Sequence, residues 1–254
     1  MKKIITAVVA ANISLFAFSS TSISLLKGEF DGNSAIYDTA DQGDKTTLTV
    51  ESLTKGKMGD VFFFTDFSTA SGGKLFEEEN KAWHYSEFSP RLSLSYLADK
   101  DLSNSVVKDY FIAGQYNYGS NSNFKASLVG LGADLNVPGF DFFQANLYYR
   151  HVGLTIPDAS NGFALTDYTR DTYQFSPVYG THFGSTGISF KGWMDLTGYN
   201  YSTQNQLLYT LTKIGGKPVE IGFEHLYYYE FKTDTASDSD VITNSLQAMI
   251  KLTW

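Results

Sequence analysis

From about residue 23 the chain alternates apolar and polar residues with a period of two, and few windows show a helical period. In Phe140 to Val152, Gln144, Asn146, Tyr148 and Arg150 share one face, while Phe143, Ala145, Leu147 and Tyr149 share the other. In Lys217 to Lys232, Glu220, Glu224, Tyr228 and Glu230 lie opposite Val219, Ile221, Phe223, Tyr227, Tyr229 and Phe231. Successive side chains of a strand point to opposite sides, so these runs predict strands with one apolar and one polar face. Twelve such segments can be read: 23–31, 45–53, 60–68, 82–97, 106–118, 124–136, 140–152, 168–179, 185–198, 203–213, 217–232 and 241–254.

Most segments are near the 9–11 residues that a tilted strand needs to cross a bilayer. Tight links such as Val137-Pro138-Gly139 and Gly215-Gly216-Lys217 alternate with long polar ones: Gly32 to Asp44, Thr69 to Lys81, Gly153 to Asp167 and Thr233 to Asp240. Outer-membrane barrels have this asymmetry, with short periplasmic turns and long external loops. An even strand number puts both termini on the periplasmic side. A soluble sandwich or closed soluble barrel alternates in the same way with its faces reversed, so alternation alone does not separate the two. The apolar face, however, stays apolar on nearly every strand and is rich in aromatics that would form interfacial girdles. The chain also ends in an amphipathic strand with a terminal aromatic, IKLTW, the form of signal that barrel-assembly machinery reads. The expected fold is all-β: a transmembrane antiparallel β-barrel of about twelve strands.

At the N-terminus Lys2 and Lys3 precede a mostly apolar stretch, Ile4 to Phe18, and then the small residues Ser19, Ser20 and Ser22. This order predicts a signal peptide over 1–22, cleaved near 19–22, and a barrel over 23–254. A buried helix or a membrane anchor is the alternative, but the stretch is short, contains Asn12 and Ser14, and no stop-transfer pattern follows. Composition adds exclusions. With no Cys there is no disulfide framework, thiolate metal site or thiol nucleophile. A formal charge of −8 argues against binding a nucleic-acid polymer. A mean hydropathy of −0.18 looks soluble, yet alternating barrels average to the same blandness.

Three blocks carry a resemblance to a known family. They are TLTVESLTKGKMGDVFFFTDFS (Thr47 to Ser68), HYSEFSPRLSLSYL (His84 to Leu97), and KDYFIAGQYNYG with LVGLGADLNVPGFDFFQANLYYR (Lys108 to Arg150). GISFKGWMDLTG, Gly187 to Gly198, is a weaker fourth. In these blocks and in their order the chain resembles the Tsx-type nucleoside-specific channels of the bacterial outer membrane; the terminal Trp254 departs from the usual Phe. The resemblance implies a monomeric twelve-stranded barrel in outer-membrane lipid, with a narrow lumen that passes nucleosides and deoxynucleosides by diffusion, without a cofactor.

Such passage needs flat surfaces for the base, polar groups for the ribose, and weak binding. DVFFFTDF supplies both kinds of contact: Asp60, Phe62, Phe64 and Asp66 share one face, and Val61, Phe63, Thr65 and Phe67 the other. Carboxylates are disfavoured against lipid, so the Asp face should be the lumen. Filling of a narrow lumen by Phe62 and Phe64 is the competing reading. On the next strand Trp83, Tyr85, Glu87, Ser89 and Arg91 share a face; Glu87 and Arg91 are too far apart to pair and should each find partners across strands, while Pro90 should break the ladder locally. Glu51 faces inward with Thr47 and Thr49, Trp193 is a further stacking candidate beside Lys191 and Asp195, and Tyr148 with Arg150 completes a mixed lumen.

No catalytic residue is expected. The four His (His84, His151, His182 and His225) are isolated in sequence, with no HExxH or GxSxG pattern. His151 and His225 read as interfacial residues. Gly130-Leu131-Gly132 opens no helix, and Ser24 and Lys27 alternate to opposite faces. Asp234 to Asp240 reads as a solvated acidic loop rather than a Ca²⁺ site. Two other classes stay open: a receptor or adhesion barrel with a plugged lumen, and a membrane-embedded lipid hydrolase, which would need a Ser–His pair facing lipid at the barrel wall; the sequence shows no convincing one.

Overall fold

The computed structural model describes residues 16–32, 43–71, 81–120, 123–158, 164–231 and 241–254. Twelve strands run in chain order: β1 (Phe16–Gly32), β2 (Gly43–Gly56), β3 (Gly59–Ser71), β4 (Lys81–Ser93), β5 (Val107–Gly119), β6 (Phe124–Leu135), β7 (Phe142–Asp158), β8 (Ala164–His182), β9 (Ile188–Thr197), β10 (Asn200–Ile214), β11 (Lys217–Glu230) and β12 (Val241–Thr253). Each pairs antiparallel with its sequence neighbours, and β1 pairs with β12 from Ser22↔Thr253 to Gly32↔Thr243, which closes the barrel and leaves no free edge.

Burial decides between the soluble and membrane versions of this fold. Inside, polar residues are hidden: Gln174 is 0% exposed, Lys251 1% and Arg91 6%. Outside, large apolar residues are bare: Val129 is 61% exposed, Leu131 63% and Tyr173 70%. A soluble protein would bury the second set and wet the first. An apolar outer belt around a polar interior is the arrangement of a barrel solvated by lipid. Among the described residues no helix is long and apolar enough to cross a membrane, so the strands do the crossing.

Several boundaries differ from the period-two reading. β1 begins at Phe16 and runs through the expected cleavage zone, where Thr21 and Trp254 exchange backbone hydrogen bonds of 2.9 and 2.8 Å. Cleavage after Ser19 keeps this pair, and cleavage after Ser22 removes it. Lys2, Lys3 and the start of the apolar stretch lie outside the described residues, as does the acidic loop Asp234 to Asp240. Segment 82–97 is not strand throughout. It leaves the sheet at Ser93, whose hydroxyl accepts from the Tyr96 amide and caps a one-turn helix, Leu94–Leu97. Gly153 to Asp167 is not a long loop either: β7 and β8 continue to Asp158↔Ala164, with the Thr155 hydroxyl donating to Asp167 at 2.8 Å. At Pro90 the β4–β5 ladder skips Ser89 and Pro90 without a register shift, because proline has no amide to donate.

Some inward glycines let neighbouring strands coil closely. A Cβ on Gly130 would stand 1.9 Å from the carbonyl oxygen of Leu147. That oxygen belongs to the rigid β6–β7 ladder and cannot swing aside. Gly130→Ala is therefore expected to destabilise the barrel by about 1–3 kcal/mol, measured by urea unfolding in detergent or lipid. An unchanged midpoint would show that the two strands separate freely.

Candidate functional site

The lumen is built from the even-numbered face of β3 and the odd-numbered face of β4. Alternation brings Asp60, Phe62, Phe64 and Asp66 inward, and the register Phe64↔Glu87 and Asp66↔Tyr85 sets them against β4. The result is a row of aromatic rings in which Phe62 and Tyr85 are half-buried and Phe64 and Phe124 are buried. Ring centroids are 6.0 Å apart for Phe62–Phe64, 5.9 Å for Phe64–Tyr85 and 6.2 Å for Tyr85–Phe124. Phe124 opens β6 and was not singled out from sequence; it stands at a segment start, where alternation alone gives no sign that it reaches the same wall.

The two carboxylates at the ends of the β3 run do different work. Asp66 accepts from the Thr49 hydroxyl at 2.5 Å and stays near the track. Asp60 is held by Arg91, which donates from Nε and Nη2 at 2.9 and 2.6 Å. Arg91 also contacts Asp134 at 2.8 Å and lies 4.2 Å from the Phe111 ring centre. Lys55 adds a contact to Asp60 at 3.9 Å. Glu87 and Arg91 do not meet. Glu87 instead accepts from the Tyr85 hydroxyl at 2.6 Å, from Gln115 at 3.0 Å and from Asn117 at 3.1 Å.

Glu51 sits in a second ion-pair group. Lys191 of β9 donates to it at 3.4 Å, and Lys251 of β12 bonds the same carboxylate oxygen. β2 and β9 lie five steps apart around a twelve-strand ring, so this bridge crosses the lumen. On the wall formed by β7–β9, Arg150 bonds Gln174, Gln174 donates to Ser176 at 2.8 Å, and Ser176 donates to Asp195 at 2.6 Å. Arg150 keeps its Nε without a protein acceptor. Trp193 faces inward and is half-buried. Tyr148 faces inward too, but it is packed into an apolar inner cluster with Ala113, Phe124, Ala126, Leu128 and Val152, so it offers little surface to a passing solute. The lumen therefore has an aromatic wall, an ion-paired constriction and a relay of amide and hydroxyl groups.

Comparison with known proteins agrees with this geometry. The family model of the nucleoside-specific channel-forming protein Tsx matches residues 29–221. The chain is 27% identical over 136 residues to the outer membrane protein OmpK of Vibrio parahaemolyticus, covering 54% of this chain and 49% of that protein. It is 27% identical over 143 residues to OmpK of the serotype O3:K6 strain RIMD 2210633, covering 54% and 50%. The chain thus matches over about half the length of these curated relatives. Among solved structures, the NanC porin superposes with a TM-score of 0.50 at 12% identity, covering 91% of this chain and 98% of that one, a likeness of fold. The KdgM porin in complex with disordered oligogalacturonate superposes less closely, with a TM-score of 0.42 at 11% identity, covering 91% and 98%. By its family match, its closed twelve-strand barrel and its inverted burial, the chain belongs to the Tsx family of channel-forming proteins of the bacterial outer membrane.

Proposed function

We propose that the solutes this channel selects are nucleosides and deoxynucleosides. The observation that carries the reading is the aromatic track Phe62–Phe64–Tyr85, flanked by acceptors at Asp66 and Glu87. A base can slide from ring to ring, because stacking tolerates every base. The ribose hydroxyls can donate to Asp66 and Glu87. These contacts are modest and repeated, so a solute enters and leaves. Carboxylates beside the track disfavour anionic solutes and suit neutral ones. No reacting group is required for this passage, and a single barrel supplies the whole path.

The double substitution Phe62→Ala with Phe64→Ala tests the reading in planar bilayers. The concentration of nucleoside that half-blocks ion current is expected to rise about 10-fold or more, with basal conductance similar or larger. Block by simple sugars should be weak in both proteins. Unchanged nucleoside block in the double variant would reject stacking on this track.

A further inference from the structure

We propose that the outer wall of the barrel carries a serine esterase site formed by Ser127, His151 and Asp171, acting on acyl esters of membrane lipid. The three residues lie on adjacent strands in one row: Ser127 of β6 is the ladder partner of His151 of β7, which is the ladder partner of Asp171 of β8. All three side chains are exposed, on the face opposite the lumen residues Leu128, Arg150 and Gln174. Nothing in the sequence places them together. They are brought into line by the β6–β7 turn around Pro138 and by the register of the β7–β8 hairpin.

The contacts have the polarity that nucleophilic catalysis needs. His151 Nδ1 is 2.6 Å from Asp171 Oδ1. Asp171 is also hydrogen-bonded by the Tyr149 hydroxyl, which fixes its carboxylate. With Nδ1–H donated to Asp171, the other ring nitrogen, Nε2, is left to act as the acceptor. Cβ atoms of directly opposed residues in an antiparallel pair are about 4.5–5.5 Å apart. Ser127 and His151 are such an opposed pair, so we place the Ser127 hydroxyl as the group that closes on Nε2 when substrate binds. Lys125, two residues from Ser127 on the same exposed face, is the cation assigned here to the developing oxyanion. Its partner Gly153 leaves the space beside it open.

Depth in the membrane names the substrate class. The rows on these three strands read, in order from the loop end, Lys125–Gly153–Thr169, then Ser127–His151–Asp171, then Val129–Tyr149–Tyr173 and Leu131–Leu147–Phe175. The candidate row is the last polar one before the bare apolar belt. In a bilayer the acyl ester linkages lie at this boundary, between headgroup and hydrocarbon. In the reaction, Ser127 Oγ attacks the ester carbonyl carbon while its proton passes to His151 Nε2. The tetrahedral intermediate, its oxyanion facing Lys125, collapses with cleavage of the carbonyl–alkoxy bond, and the leaving alcohol takes the proton from His151. Water then attacks the Ser127 acyl ester through the same base, releasing a fatty acid and restoring the serine.

The test uses the full chain refolded into mixed micelles with phosphatidylethanolamine, lipid A or a short-chain nitrophenyl ester, and in parallel a fluorophosphonate label mapped by mass spectrometry. The expected result is an adduct at Ser127 and release of fatty acid. Ser127→Ala and His151→Ala should abolish both, and Asp171→Asn should slow hydrolysis by about 10²–10⁴-fold. Channel conductance and nucleoside block should be unchanged in all three variants, which verifies folding and separates this site from the lumen. The phospholipid and lipid A arms tell which membrane ester is used. Absence of an adduct, or fatty-acid release equal in Ser127→Ala and the unsubstituted barrel, would overturn the proposal.

Discussion

Arg91→Met is expected to lower the folding free energy of the barrel by about 3–5 kcal/mol, measured by reversible urea unfolding into lipid vesicles. Most ion pairs on protein surfaces contribute far less, because water solvates both partners when they separate. Arg91 differs in three respects. Its side chain is only 4% exposed and sits within hydrogen-bond distance of Asp60, itself 7% exposed. Its fork meets both Asp60 oxygens, at 2.9 and 2.6 Å, so the pair has the geometry in which charge-assisted bonds are strongest. It also serves Asp134 at 2.8 Å and covers the Phe111 ring. Methionine preserves much of the packing on Phe111 but leaves two carboxylates facing each other with only Lys55 nearby. Arg91→Lys should fall between, since an ammonium cannot reproduce the bidentate fork. Combining Arg91→Met with Asp60→Asn should recover part of the loss, because the most buried orphaned charge is then removed. A loss below about 1 kcal/mol for Arg91→Met would mean that lumenal water solvates Asp60 and Asp134 well enough to replace the guanidinium.

The distribution of what was legible in the sequence follows from the period of a strand. Alternation assigns a face, and it assigned the lumenal face of β3, β4, β7 and β11 in agreement with the barrel, including Phe62 and Phe64 inside and Phe63 and Phe67 outside. It does not assign register or depth. The pairing of Arg91 with Asp60 depends on the β3–β4 register, Asp60↔Arg91, which alternation within either strand does not give. Phe124 joins the aromatic track only because three strands converge there. Asp60 looked equivalent to Asp66 along the sequence, yet one is locked in a fork and the other stays beside the track. The helical turn after Ser93 escaped notice for a related reason: Leu94 to Leu97 continues the alternation, and only the local capping bond at Ser93 ends the strand. The row Ser127–His151–Asp171 is the sharpest case. Its members are separated along the chain by two hairpins, and no local spacing announces them.

Glu51→Gln is expected to open the lumen and to shift its ion preference toward anions. Glu51 accepts from Lys191 at 3.4 Å and from Lys251, and these lysines come from strands on other parts of the ring. One carboxylate therefore holds two cations across the path. Opposite unit charges 4 Å apart attract by about 4 kcal/mol at the effective dielectric of a protein near its surface, before the cost of partial desolvation is subtracted. Glutamine keeps the size and can still accept a hydrogen bond, but it cannot hold two ammonium groups against their mutual repulsion. Lys191 and Lys251 should then part, withdrawing one side chain from the middle of the lumen and leaving two positive charges along it with Glu220, the ladder partner of Lys251, as their remaining nearby carboxylate. Single-channel conductance should increase, and the zero-current potential in a salt gradient should move toward that of the anion. Nucleoside block should persist, because the aromatic track stands on other strands, although shorter block events are expected as exit past the constriction becomes easier. Adding Lys191→Gln to Glu51→Gln should retain the larger conductance and return much of the ion preference, since the width is set by the bridge and the preference by the unpaired lysines. Conductance unchanged by both variants would show that the bridge does not limit the path.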